Sequence, residues 1–438
     1  MPDNQTEHDT SADSPQNKPT IAEATKAYVK IGVLSFGGPA AQIALMHKIF
    51  VDENKWLDEK QYLSALSFCM LLPGPEAMQL VTYVGWRIHG TIGGLIAGLL
   101  FVIPGALVIF LLALLYAYFG NMGWMEAAFL GVKAAVLVVV IEALLRVSKK
   151  ALVEKIHWMI AGLAFVGIFV FELPYPVIVA MAGFAGFVGV SGHSERTGPL
   201  TVSEQVSWRK TFQTIIIWTC IWFIPLIAIG ISTEWGFLYD VGLFFSKLAT
   251  VTFGGAYAVL AYMSQEVIFD LKWLTTAQMM DGLGLAETTP GPLILVTEFV
   301  GFMAGFKEGG LALAFLAALL VLWVTFVPCF LWIFAGAPYI EWISAQPRLK
   351  GALSAITAAV VGVILSLSIW FGLHVLFGDV NKMTIGPLNI WKPSLGSTNI
   401  LVLMLTCLSY YLLLIRHMNI IYVLGICSAL GIIQSWYI

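Results

Sequence analysis

The chain has 438 residues, 59% of them hydrophobic and only 11% charged, with a mean hydropathy of +0.86 and a formal net charge of -3. So little charge cannot solvate the surface of a soluble domain, and it leaves no basic face for a nucleic acid, so the composition is that of a polytopic membrane protein. The net charge carries no information about partners here, because charge in such a chain acts loop by loop.

Residues 1 to 20 are polar and acidic, with Asp3, Glu7, Asp9 and Asp13 and no apolar run. They read as a disordered cytoplasmic tail and not as a cleaved signal. Apolar runs long enough to cross about 30 Å of hydrocarbon then follow near 24–46, 62–85, 91–118, 124–145, 156–171 and 174–191. After a polar stretch at 192–212 come runs near 213–231, 237–263, 277–305, 309–335, 351–377, 399–415 and 419–436. Thirteen runs, some shorter than a full crossing, give an all-α integral membrane protein of about 10–13 transmembrane segments. Arg146, Lys149, Lys150, Lys155, Arg196, Arg209, Lys210, Arg348, Lys350 and Arg416 fall on one side of that arrangement, which makes that side, and the amino terminus, cytoplasmic.

The first half is repeated in the second. Lys30, Phe36-Gly37-Gly38, Lys55-Trp56-Leu57, Gln61 and Pro73-Gly74-Pro75 recur as Lys247, Phe253-Gly254-Gly255, Lys272-Trp273-Leu274, Gln278 and Pro290-Gly291-Pro292, always 217 residues later. Pro104 and Lys133-Ala134-Ala135-Val136 are answered 224 residues on by Pro328 and Thr357-Ala358-Ala359-Val360. The organisation expected is a tail at 1–20, a first repeat at 21–191, a linker with one membrane segment at 192–236 and a second repeat at 237–438. Seven segments separate the starts of the two copies. An odd number turns the second copy over, giving two inverted-topology repeats with a site between them.

Pro-Gly-Pro in an apolar segment stops a helix, because both prolines lack a donor and push their predecessors towards extended geometry. The backbone groups freed by such a break are tolerable in hydrocarbon only where they face protein, water or ligand. A half-helix starting after Pro75 or Pro292 would aim its free amides, the positive end of its dipole, at an anion. One proline of this kind can simply kink a helix for packing; two matched triplets argue for broken or re-entrant helices that line a site. Ser35-Phe36-Gly37-Gly38 and Thr252-Phe253-Gly254-Gly255 add hydroxyls and bare backbone, and Thr289 precedes the second triplet.

Charged side chains inside apolar runs are costly and therefore functional candidates. Lys30 and Lys247 either face the breaks or snorkel to the interface. Lys133 needs a partner on another helix or an anionic ligand, being nine residues from Glu142. Arg87 is an interfacial anchor or a gate. Glu76 and Glu287 either cap amides or carry protons, since desolvation favours the neutral carboxyl. The five cysteines and seven histidines have no metal-ligand spacing, no nucleophile with a base is visible, and no cofactor is expected.

With FGGPAAQIALMHKIFVDENKWLDEKQYLSALSFCMLLPGPEAMQL and its second copy FGGAYAVLAYMSQEVIFDLKWLTTAQMMDGLGLAETTPGPLILV, the chain resembles the chromate ion transporter family in its long two-domain form. The match spans 21 to 438; the second copy departs from the first in having Ala256 where Pro39 stands and no counterpart of Arg87. The resemblance implies a multi-pass exporter of chromate in the bacterial inner membrane, conferring chromate resistance, with sulfate as a related or competing oxyanion. Lys30, Ser35, Phe36, Gly37, Gly38, Pro73, Gly74, Pro75, Lys133, Lys247, Thr252, Phe253, Gly254, Gly255, Thr289, Pro290, Gly291 and Pro292 are the residues expected to bind the oxyanion. Glu76 and Glu287 are expected to couple transport to protons. The alternatives are a carrier of sulfate or another oxyanion, a channel, and a membrane-embedded enzyme on lipid-linked phosphate, which would need a catalytic cluster that the chain does not display. Besides the oxyanion, the partners expected are the lipid bilayer and, as an open assembly state, a second copy in a homodimer.

Overall fold

A computed structural model describes residues 19–120, 122–189, 208–231, 236–253, 256–344, 346–386 and 388–436. The first half holds α1 (Ile21–Leu34), α2 (Gly38–His47), α3 (Glu59–Leu71), α4 (Glu76–Phe119), α5 (Gly123–Ala151), α6 (Lys155–Phe169) and α7 (Tyr175–Gly189). A separate helix follows, α8 (Trp208–Ile231). The second half holds α9 (Gly236–Val251), α10 (Ala256–Gln265), α11 (Thr276–Thr288), α12 (Val296–Gly336), the short α13 (Ile340–Ser344), α14 (Pro347–Leu376), a hairpin of β1 (Val380–Ile385) and β2 (Leu388–Pro393), α15 (Ile400–Tyr410) and α16 (Ile420–Ser435).

Local chemistry repeats with the sequence. Asp58 caps α3 and Thr275 caps α11, each in a reciprocal box with a glutamine three residues on, Gln61 and Gln278. The Lys-Trp-Leu pair has a structural explanation. A wide helical turn, Lys48–Glu53 in one copy and Glu266–Asp270 in the other, ends at Lys55 and Lys272, both at φ 52°. The following amides of Trp56 and Trp273 then bond back to the carbonyls of Phe50 and Val267. These motifs hold corners.

Of the thirteen apolar runs, nine are continuous helical arms: the long helices α5, α8 and α14, the second arms of α4 and α12, and the shorter α6, α7, α15 and α16. The other four, near 24–46, 62–85, 237–263 and 277–305, are interrupted, and their arms turn back. The rings of Phe68 and Tyr83 lie 6.3 Å apart on either side of Pro73-Gly74-Pro75, where a straight continuation would separate them by about 20 Å. Gly282 lies against the ring of Phe299 across the second Pro-Gly-Pro, and Lys307 Nζ donates to the carbonyl of Lys272, 3.1 Å, at the base of the same hairpin. Tyr28 meets Phe50 at 6.3 Å around the first Phe-Gly-Gly, and Phe244 meets Tyr262 at 6.3 Å around the second.

After each Pro-Gly-Pro hairpin the chain reverses again inside one long helical element. His89-Gly90 in α4 and Gly309-Gly310 in α12 have non-helical backbone, with Gly90 and Gly310 at positive φ. The arms pack antiparallel through small residues, Gly85 against Gly93 and Ala97, and Gly305 against Leu313 and Ala314. Each second arm supports the first hairpin of its own half, α1 on α4 and α9 on α12.

The long helices swap partners between halves. α5 packs on α15 and α16 of the second half, with Gly131 against the carbonyl of Cys427 and Gly431 against that of Ala127. α14 packs on α6 and α7 of the first, with Gly362 against the carbonyl of Ala161 and Gly186 against that of Gly351. α4 meets α12, and α5 meets α14, in the centre. Van der Waals packing of this kind holds helices together where lipid is as apolar as leucine.

Candidate oxyanion site between the hairpin tips

The tips of the four hairpins meet, and they meet crosswise. The amide of Gly74, in the first Pro-Gly-Pro, donates to the carbonyl of Thr252 beside the second Phe-Gly-Gly, 2.8 Å. The amide of Gly291, in the second Pro-Gly-Pro, donates to the carbonyl of Ser35 beside the first Phe-Gly-Gly, 2.9 Å. Each triplet can turn because its glycine sits at positive φ, 120° at Gly74 and 85° at Gly291. Each triplet also rests on the other half's long helix one residue past that helix's proline. Cys329, after Pro328, is the neighbour of Gly74, and Gly105, after Pro104, is the neighbour of Pro290 and Gly291.

These bonds correct one expectation: the amides of Gly74 and Gly291 are spent on the opposite tips and are not free for an oxyanion. Gln42 adds to the crossing by donating from Nε2 to the carbonyl of Gly291, 2.6 Å, while Gln79 Nε2 donates to the carbonyl of Pro73, 2.7 Å. Pro39, Gln42, Pro75, Glu76, Ala256 and Pro292 line the cleft between the tips, about 10 Å³, the least space that admits one water. No oxyanion fits there in this conformation.

A cavity of about 340 Å³ opens beside the first tip. Its walls are Phe36, Gly37 and Ala41 at the start of α2; Val139, Glu142, Ala143 and Arg146 along one face of α5; Tyr257 of α10; Glu287 of α11; and the loop from Leu413 to Ile420. Arg146 is ion-paired with Glu142 one turn before it. The Tyr257 hydroxyl donates to Glu287 Oε1, 2.9 Å. Pro39 has no amide to offer, but the first-turn amides of α2 beside Gly38 lack helical partners, so its positive dipole end adjoins the cavity wall. A guanidinium, a helix start and two carboxylates thus share one water-accessible cavity.

Several expected residues lie elsewhere. Lys30 is half exposed and paired with Glu53, 3.0 Å, in the wide turn at the hairpin base. Lys247 stands over the ring of Tyr262, 5.7 Å from its centroid. Lys133 meets Asp281 at 2.9 Å, away from the tips. Arg87 is exposed and forms no ion pair among the described residues. Lys30 and Lys133 are thus neutralised by carboxylates on neighbouring elements, and Lys247 is held against an aromatic ring. Gly254 and Gly255 lie outside the described residues. Ser35 and Thr252 contribute backbone carbonyls, the Thr252 hydroxyl bonding to Leu248 and that of Thr289 to Ala286, while the carbonyl of Phe253 accepts from Tyr175. Glu76 lines the cleft and Glu287 the cavity.

Sequence reasoning did not pick out Arg146, Glu142, Tyr257 or Gln42. Arg146 counts as loop charge when it is used to orient the chain, yet Val139, Glu142, Ala143 and Arg146 recur at three- and four-residue spacing on a helix, which is a one-sided stripe. Gln42 is the lone amide in an apolar half-helix.

Comparison with known proteins agrees with this internal duplication. The chromate transporter family model matches residues 22–187 and again 239–432. A chromate transport protein of Pseudomonas aeruginosa is 30% identical over 343 residues, 77% of this chain and 77% of that relative. A probable chromate transport protein of Synechococcus elongatus is 28% identical over 377 residues, 85% of this chain and 90% of the relative, and the chromate transport protein of Cupriavidus metallidurans is 27% identical over 375 residues, 81% and 84%. No solved structure matches the chain. With both halves matched separately and by the same model, the chain belongs to the chromate transporter family.

Proposed function

We propose that the protein is a chromate carrier that exports the dianion from the cytoplasm, with two inverted repeats at 21–191 and 237–438 and the connecting stretch 192–236 between them. The crossed pair of bonds, Gly74 to Thr252 and Gly291 to Ser35, is the observation that carries this reading. It ties each half's Pro-Gly-Pro tip to the other half's Phe-Gly-Gly tip, so exchanging the conformations of the halves would close the route on one side of the tips and open it on the other.

The 340 Å³ cavity is then the cytoplasmic vestibule of an inward-facing state. Arg146 on its wall lies on the same helical end as Lys149 and Lys150, and Arg416 adjoins His417 in its rim, a clustering of positive charge that fits the cytoplasmic side of an inner membrane. A dianion entering here gains attraction from Arg146 and from the start of α2, and it requires Glu287 to be neutral. Moving a dianion out of a cell whose interior is negative releases about 4.6 kcal/mol per 100 mV, twice the unit-charge figure. Export therefore runs with the potential, and a proton taken inward in exchange adds to it.

Sulfate shares the charge and tetrahedral shape of chromate, and a site built from one guanidinium and backbone dipoles discriminates weakly between them. The test is labelled chromate uptake by everted vesicles containing the protein. Saturable uptake, counterflow against unlabelled chromate and competition by sulfate are expected. Uptake that never saturates would replace the carrier with a channel, and no uptake would remove chromate from the reading.

A further inference from the structure

A second charged cluster sits on the same pair of helices as the vestibule. Lys133 Nζ lies 2.9 Å from Asp281 Oδ1, and the Tyr116 hydroxyl donates to Asp281 Oδ2, 2.8 Å. The Lys133 side chain is 14% exposed and that of Asp281 8%. The Lys133 contact is an ion pair by distance, but no well-angled hydrogen bond reaches Oδ1. Asp281 stands six residues before Glu287 on α11, and Lys133 nine before Glu142 on α5, which displaces the cluster by about 9–14 Å along the two helices. The displacement is away from the vestibule, towards the base of the second Pro-Gly-Pro hairpin where Lys307 meets Lys272.

The cluster has no copy in the other half. The residues in the places of Asp281 and Lys133 are Ser64 and Thr357, so among the described residues no equivalent ion pair joins the first Pro-Gly-Pro hairpin to α14. A contact that the fold required for strength would be expected on both hairpins. Buried ion pairs are also poor sources of stability, because desolvation offsets most of the attraction, whereas a two-state switch is among their better-attested uses. The charged and titratable groups facing Asp281 are few. They are Lys133 of α5, Glu126 two turns before it, and Tyr116 of α4; α12 brings Phe299 against Tyr116, its Glu298 makes no bond to the cluster, and α16 carries no charge.

We propose that Lys133 and Asp281 form a proton-operated latch that pins the second Pro-Gly-Pro hairpin to α5, and that Asp281 is the carboxylate through which protons from the face opposite the vestibule drive transport. One proton passes from water at the hairpin base to Asp281 Oδ1, while Lys133 remains an ammonium. The cluster's charge rises from zero to plus one. The hairpin is then released from α5, with Lys133 facing a neutral carboxyl. Return of the proton to the vestibule side restores the pair, so one proton moves in as one dianion moves out.

The inference rests on the chromate-carrier reading, and the experiment separates the two. Everted vesicles are loaded at acid pH, so that their lumen corresponds to the outer face, and labelled chromate is followed with the potential clamped. In the unaltered protein each unit of pH difference should raise the accumulation ratio about tenfold for one proton per anion. Asp281→Asn, which keeps the shape and fixes the neutral form, and Lys133→Gln/Asp281→Asn, which leaves no unpaired charge, should keep chromate exchange at equal pH and lose the response to the gradient. A variant that still responds overturns the latch. So does a folded double variant without exchange, which would make the pair a strut, and so does an unaltered protein that exchanges chromate with no response to pH. An unaltered protein without chromate exchange overturns the carrier reading itself.

Discussion

At Arg146 the position of one side chain decides how the vestibule meets an anion. Its guanidinium shares the cavity with Glu142, so an arriving dianion competes for it and can take over its charge-assisted bonds. Such bonds contribute about 1.5–3 kcal/mol, so Arg146→Gln should raise the half-saturating chromate concentration about 10- to 100-fold while the protein still reaches the membrane. Concentration dependence in everted vesicles checks this, and an unchanged half-saturation would take Arg146 out of the path. Lys30 makes the contrast. On sequence alone, Lys30→Gln is expected to lower transport; its pairing with Glu53 at the half-exposed hairpin base now predicts transport within twofold of the unaltered protein, since an exposed pair is worth about 0–1 kcal/mol. Both residues show what was legible. That a lysine in an apolar run needs a partner could be read from the chain, but not that the partner stands 23 positions away in a turn whose path depends on packing. Glu287 was legible because it lies near a break, and Arg146 was not, because charge counted for orientation hides the face on which it sits.

The same division holds for the elements. Pro-Gly-Pro announces that a helix stops, and both breaks are where the sequence puts them. It does not say in which direction the chain leaves, because proline and glycine set local φ and ψ while the turn-back is imposed by contacts such as Phe68 with Tyr83 and Gly282 with Phe299. The tips can be tested through their glycines. A Cβ on Gly74, at φ 120°, would stand 2.9 Å from Cys329 Sγ and 2.9 Å from Gln79 Nε2, whereas one on Gly291 would meet Leu295 at 3.3 Å and the Phe101 carbonyl at 3.4 Å. Gly74→Ala should therefore impair transport more than Gly291→Ala, each carrying about 1–3 kcal/mol of backbone strain. Adding Cys329→Gly, which gives the second half the residue that Gly105 provides in the first, should recover part of the Gly74→Ala loss. Equal losses in the two glycine variants, with no recovery, would mean that the tips do not close against the opposite long helix.

For the whole molecule the deciding quantity is parity. The sequence counts seven apolar runs from the start of one copy to the start of the other, and two of these prove to be hairpins whose arms turn back. Five continuous helical arms remain between the hairpin pairs: the second arm of α4, then α5, α6, α7 and α8. Treating a hairpin as a crossing or as a return changes the count by one, and each half has two, so the number stays odd, and in the topology we propose the second pair enters from the other face. The contacts between loops fit the proposed topology. Glu172, after α6, pairs with Lys382 of the β-hairpin after α14, and His157 at the start of α6 meets Ser354 near the start of α14. Exposed positions at the hairpin bases turn this into a measurement: Lys60 begins the first Pro-Gly-Pro hairpin and Arg87 ends it, while Lys272 and Lys307 bracket the second. In a background without the five native cysteines, Lys60→Cys and Arg87→Cys should react with an impermeant maleimide only in everted vesicles, and Lys272→Cys and Lys307→Cys only in intact cells. Labelling of Lys60→Cys and Arg87→Cys from opposite sides would make the first break a full crossing, and labelling of all four from one side would leave the halves parallel, with no way for an exchange of their conformations to carry an anion across.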